Sequence, residues 1–398
     1  MIPFLDLVRD FQEVEADARR RIDSVLASAH YVLGAQTEWL ENQVRVRLGA
    51  AAAVAVSSGS DALSLALLAL GIGAGDAVVV PSFTFFATAG AVLHAGATPV
   101  FCDIDPATFL AGEREMRAAI ERDFQNGQGT LRHRRTGARL AALLPVHLYG
   151  QASAMDAIMR LARETGARVV EDAAQAFDCR LHGTPVGRFG DVGCFSFYPT
   201  KNLGGAGDGG LVVSDDRALG ARIARLRSHG GDEGSYLHTE AGINARMSEL
   251  VAAVINAKLA RLDAWTARRR EIAALYSSSL GVAAADGIGI PQPCAPESHV
   301  WHQYTVRIDG RSSTASSGAS RRDRIRARLE DAGVATRVFY PLPLHRQPCF
   351  AAGGDGAPEL PHADAASAEV LCLPVYPSLG DDAVLRVADA LCTAARLE

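Results

Sequence analysis

From about residue 50 to 215 the chain alternates short apolar runs with longer stretches in which apolar residues recur every three to four positions. Ala53–Val56, Ala77–Val80, Thr98–Phe101, Leu140–Val146 and Arg168–Glu171 are short and largely apolar, and they read as strands. Between them, Asp61 to Leu70 (closing at Gly71) and Phe85 to Ala95 carry helical spacing. Strands that are apolar throughout are buried on both faces, so the pattern predicts a mainly parallel sheet between helical layers. After Glu249 a helical pattern runs through Leu250, Val254, Leu259 and Leu262 to about Tyr276 and predicts one long helix linking two domains. Residues 301–308 then read as a strand, with amphipathic helices over Arg321–Ala332 and Asp381–Ala395, a smaller α/β domain. Two polar stretches, 124–139 and 310–320, read as loops.

Polar residues with chemical potential gather just past the C-terminal ends of these strands: Ser57–Ser60, Ser82 to Phe85, His147 and Asp172. Open α/β sheets bind ligands at that edge. Composition narrows the field further. A chain of 398 residues, 48% hydrophobic and 21% charged, buries a large core and suits a globular enzyme. Its net charge of −5 offers nothing to a polyanion, and its longest basic clusters, Arg132–Arg135 and Arg268–Arg270, are short enough to be solvated faces, so no nucleic-acid partner is expected. The N-terminus shows no basic-then-apolar leader, and no apolar run approaches the ~20 residues that span a bilayer, so a cytoplasmic protein with no membrane partner is expected. Seven scattered cysteines without a Cys-x-x-Cys pair read as reduced core thiols, with no disulfide framework or metal site.

The sharpest signal is an acid ending an apolar strand, Glu171-Asp172-Ala173-Ala174-Gln175, followed by Ser196-Phe197-Tyr198-Pro199-Thr200-Lys201-Asn202-Leu203-Gly204. Pyridoxal phosphate chemistry needs this pair. A lysine holds the cofactor's aldehyde as an imine, and a carboxylate keeps the pyridine nitrogen protonated so that the ring absorbs electrons. Lys201 and Asp172 take these roles, against the plain alternatives of a surface lysine and a helix-capping acid. Gln175, three residues on, reaches the ring's phenolic oxygen or else is a solvated or core glutamine. Ser57-Ser58-Gly59-Ser60-Asp61 opens a helix, whose unpaired N–H groups and dipole suit a phosphate, with Ser196 adding a donor. Phe85 either stacks on the ring or packs in the core, and His147 either lines the pocket or is a core histidine. The run Gly204 to Gly210 supplies small residues where backbone passes close to a bound ring.

These motifs, with Pro3-Phe4-Leu5-Asp6-Leu7, Tyr31-Val32-Leu33-Gly34, Pro81 to Phe85, Pro145 to Gln151, Gly242-Ile243-Asn244-Ala245-Arg246 and Phe339 to His345, resemble the DegT/DnrJ/StrS nucleotide-sugar aminotransferases over nearly the whole chain. The resemblance implies fold type I, the aspartate-aminotransferase architecture. A large domain over residues 1–262 would hold a mainly parallel seven-stranded sheet and the cofactor. A smaller domain over 263–398 would follow, with the N-terminal segment free to pack on it. It also implies that Gly59, Ser60, Ser196 and, from a neighbouring subunit, Asn244 hold the phosphate, which makes the protein a homodimer with shared sites. Tyr198, Tyr340 and His345 would face the sugar-nucleotide. A lysine at 201 speaks against the family's dehydratase branch, which has histidine there. The wording around Lys201 looks like members that aminate C3 of a keto-hexose, and the 124–139 segment is longer than the family leads one to expect.

The expected reaction is a two-stage transfer from L-glutamate to a dTDP- or UDP-linked keto-hexose, with dTDP-3-keto-6-deoxyhexose first, and C4 or cyclitol ketones as alternatives. A dinucleotide-dependent oxidoreductase is the rival from another class, but no Gly-x-Gly-x-x-Gly follows the first strand. A cofactor-binding regulator without turnover is the third reading, against which the complete Lys201, Asp172 and Gln175 set argues.

Overall fold

The computed structural model describes the whole chain except residues 128, 232–235, 294, 296–297, 311–319 and 352–356. Nine strands make the larger sheet: β1 (Ala52–Val56), β2 (Asp76–Pro81), β3 (Thr98–Cys102), the hairpin β4 (Phe124–Gly127) and β5 (Thr130–His133), then β6 (Arg139–Leu143) and β7 (Arg168–Asp172). After a separate pair, β8 (Arg180–Leu181) and β9 (Thr184–Pro185), come β10 (Val192–Ser196) and β11 (Gly210–Ser214). Without the hairpin the order is β1-β11-β10-β7-β6-β2-β3, seven strands as expected. Neighbours from β10 through β3 are parallel, while β11 runs antiparallel to both β10 and β1. Every residue of β2 is buried, Asp76 at its start included, as a strand covered on both faces must be.

The segment 124–139 is not a loop. Its polar composition concealed a period of two: Phe124 and His133 point inward and meet edge to face at 5.5 Å, while Gln125, Thr130 and Arg132 face outward. The turn is closed by Gly129 at φ +80°, and β5 continues onto the edge of β6 through Arg132 and Arg139.

The single long helix expected after Glu249 is two, Glu249–Leu259 and Leu262–Leu280. The first is buried on all sides from Ala252 to Leu259 and packs on the N-terminal helices Glu15–Ser28 and Ala35–Leu48. The second buries only Leu262, Trp265, Arg269, Ile272, Ala273, Tyr276 and Leu280, and packs on Asp381–Arg396. One straight axis cannot serve both surfaces, and the break falls at Ala260–Arg261, where Lys258 Nζ donates to Gly204 O at 2.7 Å.

β12 (Ile288–Gly289), β13 (Tyr304–Ile308) and β14 (Val370–Leu373) form a second, antiparallel sheet with a core of its own. Ile2 bridges to Val334 and belongs to that core. The strand expected over 301–308 begins only at Tyr304, which leaves residues 301–303 to run towards the larger sheet. The loop expected over 310–320 and Cys294 lie almost wholly outside the described residues; the six described cysteines carry free thiols. No described helix is long and apolar enough to cross a membrane.

Candidate active site

The C-terminal ends of β1, β2, β7 and β10, with the antiparallel start of β11, surround a cavity of about 530 Å³. Its size falls within the ~300–1,000 Å³ usual for cofactor and small-molecule sites. Lys201 and Asp172 both line it, so the strand-end acid and the lysine paired from sequence share one chamber.

Ser57 and Ser58 turn the chain from β1 into the Gly59–Ala69 helix. The Ser58 hydroxyl accepts from Asp61 N at 3.0 Å and donates to Asp61 Oδ2 at 2.9 Å. Gly59 and Ser60 open the helix, where N–H groups have no acceptor within it, and both line the cavity. A Cβ on Gly59 would lie 2.7 Å from Ser196 Cβ, and one on Gly210 would lie 2.3 Å from Ser58 O. The helix start is therefore pressed against the end of β10 and the start of β11, and only glycine permits that approach. The rest of the glycine run serves the protein's own backbone as well: a Cβ on Gly204 would strike Pro199 O at 2.3 Å, and one on Gly205 would meet Val251 at 2.8 Å.

Lys201 follows a turn in which its N–H donates to Tyr198 O at 2.8 Å. Burial pushes its amine down to about 8, against the opposing pull of Asp172. At pH 7 roughly one amine in ten is then neutral, against about one in three thousand for an ordinary lysine. Asp172, at the end of β7, is buried. Its Oδ2 accepts from Thr88 Oγ1 at 2.8 Å and its Oδ1 from Ala174 N at 3.1 Å. Burial raises its pKa above the ordinary carboxyl range, while Thr88, Ala174 and the nearby Lys201 pull it back down. Gln175 accepts from Tyr149 N at 2.8 Å and donates to Tyr340 Oη at 3.0 Å, which fixes its amide at the cavity wall.

Phe85 lines the cavity and is 55% exposed, so it is not a core phenylalanine; its ring lies 6.0 Å from that of Tyr340. Tyr198, Tyr340 and Ser196 also line the wall. Three residues do not. His147 is a core histidine: Ser153 N donates to its Nδ1 at 3.0 Å, so its Nε2–H donates to Glu171 Oε2 at 2.9 Å. His345 is buried against Ser82 Oγ, 2.5 Å from Nδ1, and faces Asp364 rather than the cavity. Asn244 is exposed and lies away from its own chain's cavity, its Oδ1 accepting from Arg246 Nε at 3.0 Å.

The sequence reading assigned no role to four residues here, although it placed Thr84 at the ligand edge with its neighbours. Thr84 lines the wall with Thr88 behind it, and His302 and Gln303 enter from the segment that leads into β13. Asn202 commits its amide nitrogen to Val300 O at 2.7 Å, so its oxygen accepts from His302 Nδ1–H at 3.2 Å and leaves Nε2 unprotonated. Burial, and the Lys201 charge after it, hold His302 well below the usual histidine range, hence neutral. Thr88, a hydroxyl on the buried face of an apolar helix, was a signal available in the sequence. His302 and Gln303 carried none.

These residues fit a pyridoxal phosphate. The helix start at Gly59 and Ser60, with Ser196, suits the phosphate, Asp172 the ring nitrogen, Lys201 the aldehyde carbon and Phe85 the ring face.

The family profile of the DegT/DnrJ/EryC1/StrS aminotransferases matches residues 12–392. A dTDP-3-amino-3,4,6-trideoxy-alpha-D-glucose transaminase of Streptomyces venezuelae is 41% identical, over 98% of this chain and 95% of its own. A pleiotropic regulatory protein of Geobacillus stearothermophilus is 39% identical, over 96% and 95%. Among solved structures, S. venezuelae DesV in complex with a ketimine intermediate superposes with a TM-score of 0.88 at 39% identity, covering 99% of this chain and 98% of that one. On the profile, the relatives and the shared fold together, the chain belongs to the DegT/DnrJ/EryC1/StrS aminotransferase family.

Proposed function

We propose that this protein moves an amino group from L-glutamate to C3 of a nucleotide-linked keto-hexose, most simply a dTDP-3-keto-6-deoxyhexose, with pyridoxal phosphate as cofactor. One observation carries the reading: a lysine amine held at about 8 in the same chamber as a buried carboxylate. When bound, the cofactor supplies an electron sink for the bond broken at the substrate carbon.

The chain's own residues do the rest. Lys201, released from its covalent role, takes a proton at Nζ and returns it, and an amine held near 8 does both at neutral pH. General acid–base work of this kind contributes about 10²–10⁴-fold. Asp172, with both oxygens already holding donors, presents a fixed anionic edge. Gln175 and Tyr340, bonded to each other, form the wall beside Phe85. Two substrates using one chamber in turn give ping-pong kinetics.

The C3 preference rests on the sequence around Lys201 and on the name of the S. venezuelae relative. A homodimer with shared sites is proposed because Asn244 lies outside its own cavity and Tyr236, nearby in sequence, is wholly exposed. The regulatory relative favours a second reading, a cofactor-binding regulator.

Incubation of purified protein with glutamate and a panel of 3-keto and 4-keto dTDP- and UDP-hexoses, read by mass spectrometry, tests the proposal. A 3-amino product is expected. Amination only at C4 or only of a cyclitol ketone overturns the substrate, and a bound-cofactor absorption band with no amine product from any ketone overturns the enzyme in favour of the regulator.

A further inference from the structure

We propose that Thr88, backed by Thr84, is a positioning residue for the reaction: a two-hydroxyl relay that fixes the Asp172 carboxylate towards the cofactor ring. The inference rests on the function proposed above and assigns a task to two side chains that the sequence reading gave none, Thr84 within the Pro81–Phe85 motif and Thr88 outside it.

The direction of each hydrogen bond follows from the chemistry. Asp172 Oδ2 can only accept when ionised, so the proton in its 2.8 Å contact belongs to Thr88 Oγ1. That hydroxyl has one proton, and it is spent. In the 3.1 Å contact between the two threonines, Thr84 must therefore donate and Thr88 accept. The relay starts at the cavity wall, which Thr84 lines, and ends on the carboxylate. Both hydroxyls are buried, Thr84 at 2% and Thr88 at 0% exposure, so water does not compete.

Geometry makes this more than a satisfied polar group. Asp172 Oδ1 is held by Ala174 N from the same strand end, whereas Thr88 comes from the Phe86–His94 helix. The carboxylate is thus clamped from two elements, and its plane cannot turn without breaking one bond. The same helix begins at Phe85, the residue over the ring face. One rigid body therefore sets both the ring's stacking partner and its anion. A β-branched threonine, stiff about χ1, suits a clamp better than serine.

The other groups facing Asp172 are Lys201, His147, Cys194 and Tyr340. Cys194 sits opposite it on β10. Burial favours the neutral acid, and Thr88 is the foremost influence opposing it. Without Thr88 the carboxyl holds its own proton more readily and is a weaker partner for a protonated ring nitrogen.

Thr88→Val keeps the shape and removes the hydroxyl. The expected result, in titrations of the cofactor-free protein, is cofactor affinity weakened about ten- to a hundredfold, the loss of one hydrogen bond to a charged group. The pH midpoint of the bound cofactor's absorption change should rise by about one unit, and kcat should fall with KM for the amino donor little changed. Thr88→Ser, which keeps the hydroxyl without the χ1 stiffness, should restore most of each loss, and Thr84→Val should move the midpoint the same way by less. An unchanged midpoint and affinity in Thr88→Val overturns the relay. If that variant does not fold, an unchanged midpoint in Thr84→Val overturns it instead. Wild-type protein that takes up no cofactor would sink the function and the relay together, whereas a cofactor band indifferent to both threonines sinks the relay alone.

Discussion

The lowered amine that suits Lys201 to its proposed role should also make the cofactor-free protein less stable. Its ordinary value is 10.5 and burial lowers it to about 8. A base with a depressed folded-state value binds fewer protons folded than unfolded between the two values, so stability rises with pH there. Below about pH 8 the folded chain bears the whole cost of a charged amine in a poorly hydrated place; towards pH 10.5 that cost disappears. A shift of two to three units corresponds to about 3 kcal/mol at ~1.4 kcal/mol per unit. Lys201 is only half-buried, and solvent screening brings the expected figure to about 1–3 kcal/mol. Lys201→Met, of similar length and uncharged, is the perturbation. Urea unfolding of both cofactor-free proteins from pH 7 to 10.5 is the assay, and the difference between them isolates this one group. The variant should be more stable at pH 7, and the gap should close as pH approaches 10.5. Curves that stay parallel across the range, or a wild type that loses ground as pH rises, would refute a buried lysine amine.

Other consequences can be measured independently. Glu171 accepts from His147, Gly187, Phe189 and Gly190 at 2.7–2.9 Å, two donors on each oxygen. Glu171→Gln turns one acceptor into a donor and strands two N–H groups whichever way the amide faces, a loss of about 2–6 kcal/mol in urea unfolding; under 1 kcal/mol would contradict the network. Gly59→Ala sets a methyl 2.7 Å from Ser196 Cβ, so the helix start must retreat, and cofactor affinity measured by absorbance titration should fall by at least about tenfold. Lys201→Ala and Asn244→Ala subunits, each inactive alone, should on mixing and reassociation recover up to about a quarter of wild-type activity, since one site of each mixed dimer is intact. No recovery despite demonstrated subunit exchange would argue against shared sites.

How far the chain announced its structure depended on whether the deciding interactions were local. The strand ends at Ser57, Asp172 and Ser196 were legible because an all-apolar run can only lie inside a covered sheet, which places whatever follows it at the ligand edge. The lysine and the acid were legible as chemistry for the same reason. The hairpin over 124–139 was hidden because its inward face holds only Phe124, Leu131 and His133, too few apolar positions to outweigh a polar composition. The helix break at Ala260 was hidden because helical periodicity records that a face is buried and not which surface buries it.

The amino-acid sequence by itself determined the α/β class, the edge of the sheet where the cavity opens, and the lysine and carboxylate that line it, since each follows from spacing within a single segment. Tertiary structure alone decided that His302 and Gln303 reach the cavity from the segment that leads into β13, that His345 and His147 do not, and that Thr88 grips Asp172 from 84 positions away. Those contacts join residues with no common period or motif; they exist only once separate elements have packed, and packing is set by the shapes of whole faces rather than by any stretch of chain.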